Sequence, residues 1–298
     1  MCANSDTATL RRAFGDGRQA GIALRYFEDM MPRGPAGCTR DAARDLDAEE
    51  LVVVDATIIP YALNLPELLE AHRESGALLT VVANSEGRGR AEPGMTPVGV
   101  FIMSPEALSA VPETGYQDIK QGLIPRLHAA GGRVAAHEVA SCPPRVNDSG
   151  SYFATLAWLL EYQASQPETE AGYHRLNGAC VHESAEIDPD CRLVGRVHVG
   201  PRAVVEKNAT VVGPTMIDRD CVVREDAVIS RSALWGGATV GEGAVVDRCI
   251  LSFGAKARPR QHCCGQVIAG PRRASQPSMI DGSAVSFDSQ PLAALKAC

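Results

Sequence analysis

A period of six residues governs the chain from Val181 onward. An aliphatic residue recurs at every sixth position as far as Ile229, and a small or β-branched residue follows each of them four places later. The aliphatic positions are Val181, Ile187, Leu193, Val199, Val205, Val211, Ile217, Val223 and Ile229. Six is neither the period of a helix nor the alternation of a strand, and it is typical of hexapeptide β-helix repeats.

The series loses one residue after Ile229 and then resumes at Leu234, Val240 and Val246. Three hexads make one turn of a triangular coil, so the pattern predicts about four turns over residues 180–257. The aliphatic side chains point inward and stack, and each buried Val or Ile contributes roughly 1.5–3 kcal/mol. Gly, Asp and Asn cluster between the hexads, where the chain must turn sharply.

Upstream of the coil, strand-like and helix-like segments alternate. The predicted strands are 51–54, 78–82, 97–103 and 134–139, and the predicted helices are 66–76, 104–108, 119–130 and 151–163. This alternation predicts an α/β domain at about 1–165 with a mostly parallel sheet. A polar linker follows at 164–180, and 258–298, rich in Arg, Pro, Ser and Gln, is predicted to be a loosely ordered tail.

Composition excludes several classes of function. The 298 residues carry a net charge of -7, which argues against general binding to the phosphates of nucleic acids. No apolar run reaches the roughly 20 residues of a membrane span, and 1–21 lacks the pattern of a signal peptide. The sequence therefore predicts a cytoplasmic protein with no membrane partner.

The chain has ten cysteines. Cys263 and Cys264 follow His262, a group that suggests a metal or redox role, but no second group lies at ligand spacing. Free cytosolic thiols are the preferred interpretation, and the role of this pair stays open.

Six segments carry a further pattern in their order and spacing. They are 14–26, Gly34-Pro-Ala-Gly37, 51–72, 98–108, 147–151 and 232–237. Together they resemble the sugar-1-phosphate nucleotidyltransferases, or NDP-sugar pyrophosphorylases, and particularly the GDP-mannose type. The similarity covers about residues 10–250. It implies a partial nucleotidyltransferase (Rossmann-like) α/β domain followed by a left-handed parallel β-helix, whose handedness comes from the resemblance alone.

The resemblance also implies a chemistry. In this family a sugar-1-phosphate attacks the α-phosphorus of an NTP, and pyrophosphate leaves while Mg²⁺ neutralises charge. Gly34, Ala36, Gly37 and Gly99 fall at positions near the nucleotide or sugar. Asp148 stands where the family has a metal ligand, and Asp55 is a weaker candidate for the other.

Several family elements are altered or missing, so the chain is interpreted as N-terminally truncated and degenerate. No glycine-rich stretch that would cradle the triphosphate precedes Leu10. Thr57 occupies the first metal position, and Asp55, two residues earlier on the same strand face, is about 6–7 Å away. Ala91-Glu-Pro93 echoes the family's Glu-Lys-Pro without its lysine, and Pro97 replaces an Asn.

The retained positions also have purely local interpretations. Asn147-Asp-Ser-Gly is an ordinary helix-cap sequence, which is preferred for Asp148. Gly34 and Gly37 are interpreted as turn glycines, and Arg126 as part of a solvated helix face. No catalytic residue is assigned.

Three functions remain open. The favoured one is a regulatory or assembly subunit of nucleotide-sugar metabolism that is not catalytic alone. It would bind a second copy, or a full-length nucleotidyltransferase paralogue, through the coil, and a nucleotide or sugar phosphate is a further candidate ligand. The second is an active, Mg²⁺-dependent nucleotidyltransferase whose N-terminal half is missing or separately encoded. The third is a hexapeptide acyltransferase with His182 or His198 as general base.

Overall fold

A computed structural model describes residues 2–3, 7–18, 21–29, 31–60, 63–84, 95–166 and 171–271. The described residues up to Pro143 form one compact unit, and those from Pro144 onward form a second. Within these ranges no helix is both long and apolar enough to cross a bilayer.

The first unit is an α/β layer. Its strands are β1 (Cys2–Ala3), β2 (Phe27–Glu28), β3 (Leu51–Val54), β4 (Leu79–Asn84), β5 (Thr96–Met103) and β6 (Val134–Glu138). Its helices are α1 (Thr7–Phe14), α2 (Gly34–Ala43), α3 (Leu65–Ser75), a 3₁₀ helix (Pro105–Ala110), a π-helical turn (Ile119–Leu123) and α4 (Ile124–Ala129). The main sheet has the order β3-β5-β4-β6, and β1 pairs with β2 separately.

The main sheet is not mostly parallel, which corrects the expectation from the alternating pattern. Strand β5 is antiparallel to both β3 and β4, and only β4 and β6 run parallel. Eleven residues separate β4 from β5. Parallel neighbours need a crossover of a dozen or more residues, usually a helix, and this connection is too short for one.

Helix α3 shows why the local sequence signals worked here. Asn64 is its N-cap and accepts a hydrogen bond from the backbone N–H of Glu67 at 3.4 Å. Gly76 follows its last residue with φ +60, a left-handed conformation that ends helices and that glycine adopts without strain. The helix buries Leu68 against Val82 and Val100 of the sheet.

The second unit consists of α5 (Ser149–Ser165) and a coil of short strands. The strands are β7 (Tyr173–Leu176), β8 (Ala179–His182), β9 (Glu186–Ile187), β10 (Arg192–Val194), β11 (Val197–Val199), β12 (Val204–Val205), β13 (Thr210–Val212), β14 (Thr215–Ile217), β15 (Val222–Val223), β16 (Val228–Ser230), β17 (Ala233–Leu234), β18 (Thr239–Val240), β19 (Val245–Asp247), β20 (Ile250–Leu251), β21 (Lys256–Ala257), β22 (His262–Cys264) and β23 (Val267–Ile268).

These strands form three parallel sheets, which are the faces of the coil. Face A contains β8, β11, β14, β17, β20 and β23, with β7 added antiparallel to β8. Face B contains β9, β12, β15, β18 and β21, and face C contains β10, β13, β16, β19 and β22. Five strands on each of faces B and C give five turns. Strand β7 lies in the segment that the sequence predicts to be a linker.

The inward positions of the hexad pattern are confirmed. From Val199 to Val246 every aliphatic position of the series is at most 1% exposed, and together they form one continuous core. Ile187 and Leu193, in the first turn, are partly buried against that core. The period of six therefore encodes a stack in which each turn covers the one before it.

The coil continues beyond residue 257, where the sequence predicted its end. At the corner from face C to face A, three residues lie between Val212 and Met216. One turn later, only two residues lie between Ser230 and Ala233, which pair with Val212 and Met216. The corner between Asp247 and Ile250 is shortened in the same way.

Because of this second shortening, a strict count of six residues no longer falls on the inward positions of the last turn. The inward positions after Val246 are Leu251, Ala257 and Cys263, all at most 2% exposed. The segment 258–271, predicted to belong to the tail, thus belongs to the coil, and the rest of the predicted tail lies outside the described residues.

Helix α5 packs against face A of the coil. Leu156 and Leu160 share a buried cluster with Ala233. The indole N–H of Trp235 donates a hydrogen bond of 2.9 Å to the hydroxyl of Tyr152. The sequence places this helix in the α/β domain ending at 165. The structure instead groups it with the coil, and the apolar side of the helix packs on the outside of face A.

Candidate functional site

The Gly34-Pro-Ala-Gly37 motif forms the first turn of α2, pressed against the backbone of Gln117. The N–H of Ala36 donates to the carbonyl of Gln117 at 3.0 Å, and the N–H of Gln117 donates to the carbonyl of Arg33 at 2.7 Å. Gly34 has φ +74, and a Cβ there would lie 2.6 Å from the Gln117 oxygen. A Cβ on Gly37 would lie 2.9 Å from the Cβ of Arg33. Close packing therefore favours glycine at both positions.

Gln117 is itself fixed by its side chain. It is 7% exposed; its Nε2 donates to the carbonyl of Thr114 at 2.8 Å, and its Oε1 accepts from a guanidinium nitrogen of Arg126 at 2.7 Å. Arg126 therefore does more than line a solvated helix face. The sequence analysis missed Gln117, because its backbone partners Arg33 and Ala36 are distant in the chain.

A second set of hydrogen bonds holds α2 to the loop after the 3₁₀ helix. The Arg40 guanidinium donates to Asp41 at 2.6 Å and to the carbonyls of Val111, Pro112 and Glu113. The Arg40 and Asp41 side chains are only 12% and 16% exposed. The Arg40 guanidinium therefore already has protein partners, and its role is to hold α2 against the loop after the 3₁₀ helix.

A groove of about 460 Å³ lies beside α2. Its lining residues are Arg40, Ala43, Arg44, Leu46, Ala48, Leu51, Pro105, Leu108, Ser109, Val111 and Glu113. Arg44 is 67% exposed and supplies the accessible positive charge of this lining. The lining mixes aliphatic side chains with Glu113 and with Arg44, whose guanidinium lies 3.8 Å from a carboxylate oxygen of Asp41.

Gly99 lies where the pairing of β4 and β5 shifts in register. It has φ +93, and the shift falls opposite 81–83. Its carbonyl accepts the N–H of Asp55 at 2.9 Å. The glycine therefore permits a bulge that fixes the turn after β3.

The candidate metal residue Asp55 is exposed, and its carboxylate is bonded within its own turn. Its Oδ1 accepts the backbone N–H of Thr57 at 3.0 Å and the Thr57 hydroxyl at 2.9 Å. Thr57, which holds the family's metal position, thus serves as a donor to Asp55.

Asp148 is the N-cap of α5, which confirms the cap interpretation. Its Oδ1 accepts the backbone N–H of Ser151 at 2.7 Å, and the Ser151 hydroxyl in return accepts the N–H of Asp148 at 2.9 Å. The bond from the Ser151 backbone N–H, followed by that from its hydroxyl, lowers the pKa of Asp148. Its proposed metal role stays a prediction.

Asp55 and Asp148 belong to different units. Across the described part of the chain, His, Cys, Asp and Glu side chains form no group of three arranged to hold a metal ion.

The coil histidines pack around one tyrosine of β7. The Tyr173 ring centre lies 4.8 Å from that of His182, edge to face, and 5.0 Å from that of His198. The Nδ1 of His182 is 2.9 Å from the Ser184 hydroxyl. These contacts give both rings a packing role at the start of the coil, and the acyltransferase alternative gains no support from them.

The cysteine pair divides between the inside and outside of the coil. Cys263 is 2% exposed in the core, and burial raises its pKa. Cys264 is exposed on face C, where its Sγ lies 3.4 Å from a guanidinium nitrogen of Arg248. Their opposite orientations follow from the alternation of a strand.

No family model matches the chain. The proteins similar to it include three sugar-1-phosphate nucleotidyltransferases. The probable mannose-1-phosphate guanylyltransferase 3 of Oryza sativa subsp. japonica is 24% identical over 262 residues, covering 78% of this chain and 71% of the relative. The UTP–glucose-1-phosphate uridylyltransferase of Synechocystis is 22% identical over 284 residues, covering 80% and 71%. The mannose-1-phosphate guanylyltransferase of Mycobacterium tuberculosis is 22% identical over 235 residues, covering 71% and 64%.

Proposed function

We propose that this chain, which is similar over most of its length to sugar-1-phosphate nucleotidyltransferases, serves nucleotide-sugar metabolism as an assembly or regulatory subunit that is not catalytic alone. We place it in the cytoplasm. One observation carries the proposal: both carboxylates that the resemblance offers to Mg²⁺ are bonded into their own local turns.

Nucleotidyl transfer needs charge neutralisation at the α-phosphate, which Mg²⁺ supplies through hard anionic oxygen ligands. Oδ1 of Asp55 accepts two hydrogen bonds from Thr57, and Oδ1 of Asp148 accepts two from Ser151. A threonine at the first metal position supplies no charge. Among the described residues this donor set does not fit a two-carboxylate Mg²⁺ site, so we derive no step through the metal.

Ligand binding is the retained capacity that we propose. The turn of α2 that the resemblance places near nucleotide and sugar is held by Gln117, and Arg126 holds Gln117. Such a turn is ordered before a ligand arrives, which lowers the entropic cost of binding. A sugar nucleotide or sugar phosphate would then stabilise the α/β unit.

Catalysis is tested with the purified chain, Mg²⁺, and either GTP with mannose-1-phosphate or UTP with glucose-1-phosphate. We expect no pyrophosphate release above a no-enzyme blank, with the Synechocystis uridylyltransferase as positive control. Mg²⁺-dependent release that Asp148→Asn abolishes would refute the proposal and favour the active alternative.

Binding is tested separately by thermal denaturation of the α/β unit with GDP-mannose or UDP-glucose. A ligand at 100 times its Kd stabilises the folded form by about 2.7 kcal/mol. Gly34→Ala should remove the shift in Tm because it displaces the α2 turn, whereas Gly131→Ala, a control with the same φ of +74, should keep it. A shift that both variants retain would place the ligand away from α2.

A further inference from the structure

Face B of the coil carries opposite charges at its two ends. The segment 183–190 in the first turn contains four carboxylates and no basic residue, whereas 254–261 in the fifth contains three basic residues and no carboxylate. On the strands themselves, Glu186 is exposed at one end and Lys256 at the other. Backbone hydrogen bonds place Asp188 and Arg258 in the next outward row.

Most of these end charges have no ion-pair partner among the described residues; the exception is Arg260, whose guanidinium lies 3.7 Å from a carboxylate oxygen of Glu242. Among the residues that the structure describes, Glu186, Asp188, Lys256 and Arg258 take part in no ion pair. Two arginines of the middle turns, in contrast, form ion pairs between neighbouring turns. Arg202 bonds to Asp220 at 2.7 Å, and the Arg224 guanidinium bonds to Glu206.

An apolar strip joins the two charged ends. Val204, Val222 and Thr239 lie in one outward row with Glu186 and Lys256, and all three are half-buried. Face B thus runs from acidic through apolar to basic over five turns. A second copy turned end for end therefore places its basic fifth turn against the acidic first turn of the first copy, and its acidic first turn against the basic fifth turn.

We propose that two copies of the protein pair through face B, with their coils antiparallel, as the contact that supports the assembly role proposed above. A two-fold axis along the strand direction at the middle turn brings the first turn of one copy opposite the fifth turn of the other. Glu186 then faces the partner's Lys256, and Asp188 faces the partner's Arg258. Because such an interface is isologous, every pair occurs twice.

The shape of the acidic end fits this arrangement. A groove of about 500 Å³ opens there, and it is lined by Glu186, Ile187, Asp188, Val204, Val205, Glu206, Lys207 and Glu225. The groove offers space to the long side chains of the partner's Lys256 and the partner's Arg258. At the axis the two Val222 side chains meet, and each Arg224 nearby is neutralised by Glu206 of its own copy.

The other faces lack this property. Helix α5 packs on face A. Face C carries Arg192 in its first turn and His262 in its fifth, in the same outward row, so antiparallel pairing would set no carboxylate opposite Arg192. Face B is therefore the surface whose charges select a second copy.

The test measures the oligomeric state of the full chain by sedimentation equilibrium at 50 and 500 mM NaCl. We expect a monomer–dimer equilibrium whose dissociation constant rises at high salt, because exposed charges are screened. One variant reverses the acidic end (Glu186→Lys with Asp188→Lys), and another reverses the basic end (Lys256→Glu with Arg258→Glu). Each should raise the dissociation constant at 50 mM NaCl at least tenfold.

The decisive measurement is sedimentation equilibrium of the two variants mixed together. Face B of one variant is then basic at both ends and that of the other acidic at both ends, so a heterodimer should form with an affinity near that of the unaltered protein. This recovery also shows that both variants are folded. The matched control is Arg192→Glu on face C, which should leave the dimer unchanged.

A monomer at all concentrations, a dimer insensitive to the reversals, or a dimer abolished by Arg192→Glu would overturn the inference. An open-ended series of larger species would do so too, because end-to-end stacking would then be the contact. Pyrophosphate release by a protein that still dimerises through face B would refute the proposed function alone, and a catalytically silent monomer would refute this pairing alone.

Discussion

The packing of the α2 turn against Gln117 makes a matched pair of glycine substitutions informative. Gly34 and Gly131 share φ +74, but a Cβ at Gly131 meets nothing within 4 Å, whereas one at Gly34 lies 2.6 Å from the Gln117 oxygen. Gly131→Ala should therefore cost only the left-handed strain of an L-residue, about 1–2 kcal/mol, partly offset by a less flexible unfolded chain.

Gly34→Ala adds a steric term to the same strain. The Gln117 backbone must retreat by about 0.8 Å to restore an ordinary contact of 3.4 Å. That retreat disturbs the hydrogen bonds of Gln117 with Ala36 and Arg33, each worth about 0.5–1.5 kcal/mol, and overpacking costs about 1–3 kcal/mol. We expect a total loss of about 3–5 kcal/mol, against about 1 kcal/mol for Gly131→Ala.

Native-state hydrogen exchange of the α2 amides measures this difference. Both tryptophans, Trp158 and Trp235, lie in the second unit, so their fluorescence in a urea titration is an internal control that neither substitution should change. Equal losses of protection in the two variants would show that backbone strain, and not contact with Gln117, explains the glycine at position 34.

Three further outcomes are expected. Leu234→Ala, at a fully buried position in the middle of the coil, should destabilise the second unit by about 2–5 kcal/mol in a fluorescence-detected urea titration. Asp148→Ala should destabilise α5 by about 1 kcal/mol at pH 7, whereas Asp148→Asn should lose much less because it keeps an acceptor. The pKa of Asp148 is lowered in the folded protein, so the carboxylate adds to the free energy of unfolding in a way that Asn cannot. This addition should be fully present above the pKa of Asp in the unfolded chain, near 3.9, and should be lost as the pH falls through the folded pKa. A maleimide probe at pH 8 should label Cys264 in peptide mapping and spare Cys221 and Cys249, whose pKa values burial raises to about 11; rapid labelling of either would contradict their burial.

The coil was predictable because its information is local. Each inward residue, such as Val205 or Val223, repeats at a fixed spacing, and each turn packs on its neighbours. Helix α3 was predictable for a similar reason, since Pro66 in its first turn and Gly76 after its last residue mark its ends within the sequence.

The α2 site was only partly predictable. The glycines of the α2 turn carry a visible motif, but Gln117, more than 80 residues away, carries none. The same limit explains the sheet order, which depends on how β4 and β5 connect and not on the apolar pattern of either strand. It also explains α5, whose apolar side indicates burial without naming the surface that buries it.

The shortened corners of the coil, at 230–233, 247–250 and 264–267, show which changes in chain length this fold accommodates. Removing one residue between faces C and A leaves every inward side chain in place in the following turns. Within a strand the same deletion would send the next aliphatic side chain to the outside, because neighbouring residues point to opposite faces. A change of one residue is therefore accommodated at that corner, whereas elsewhere in the stack the change that keeps every inward side chain in place is the gain or loss of a whole turn. Each such step would move the acidic and basic ends of face B closer together or further apart by about 4.8 Å, so a copy with a different number of turns would no longer match this one.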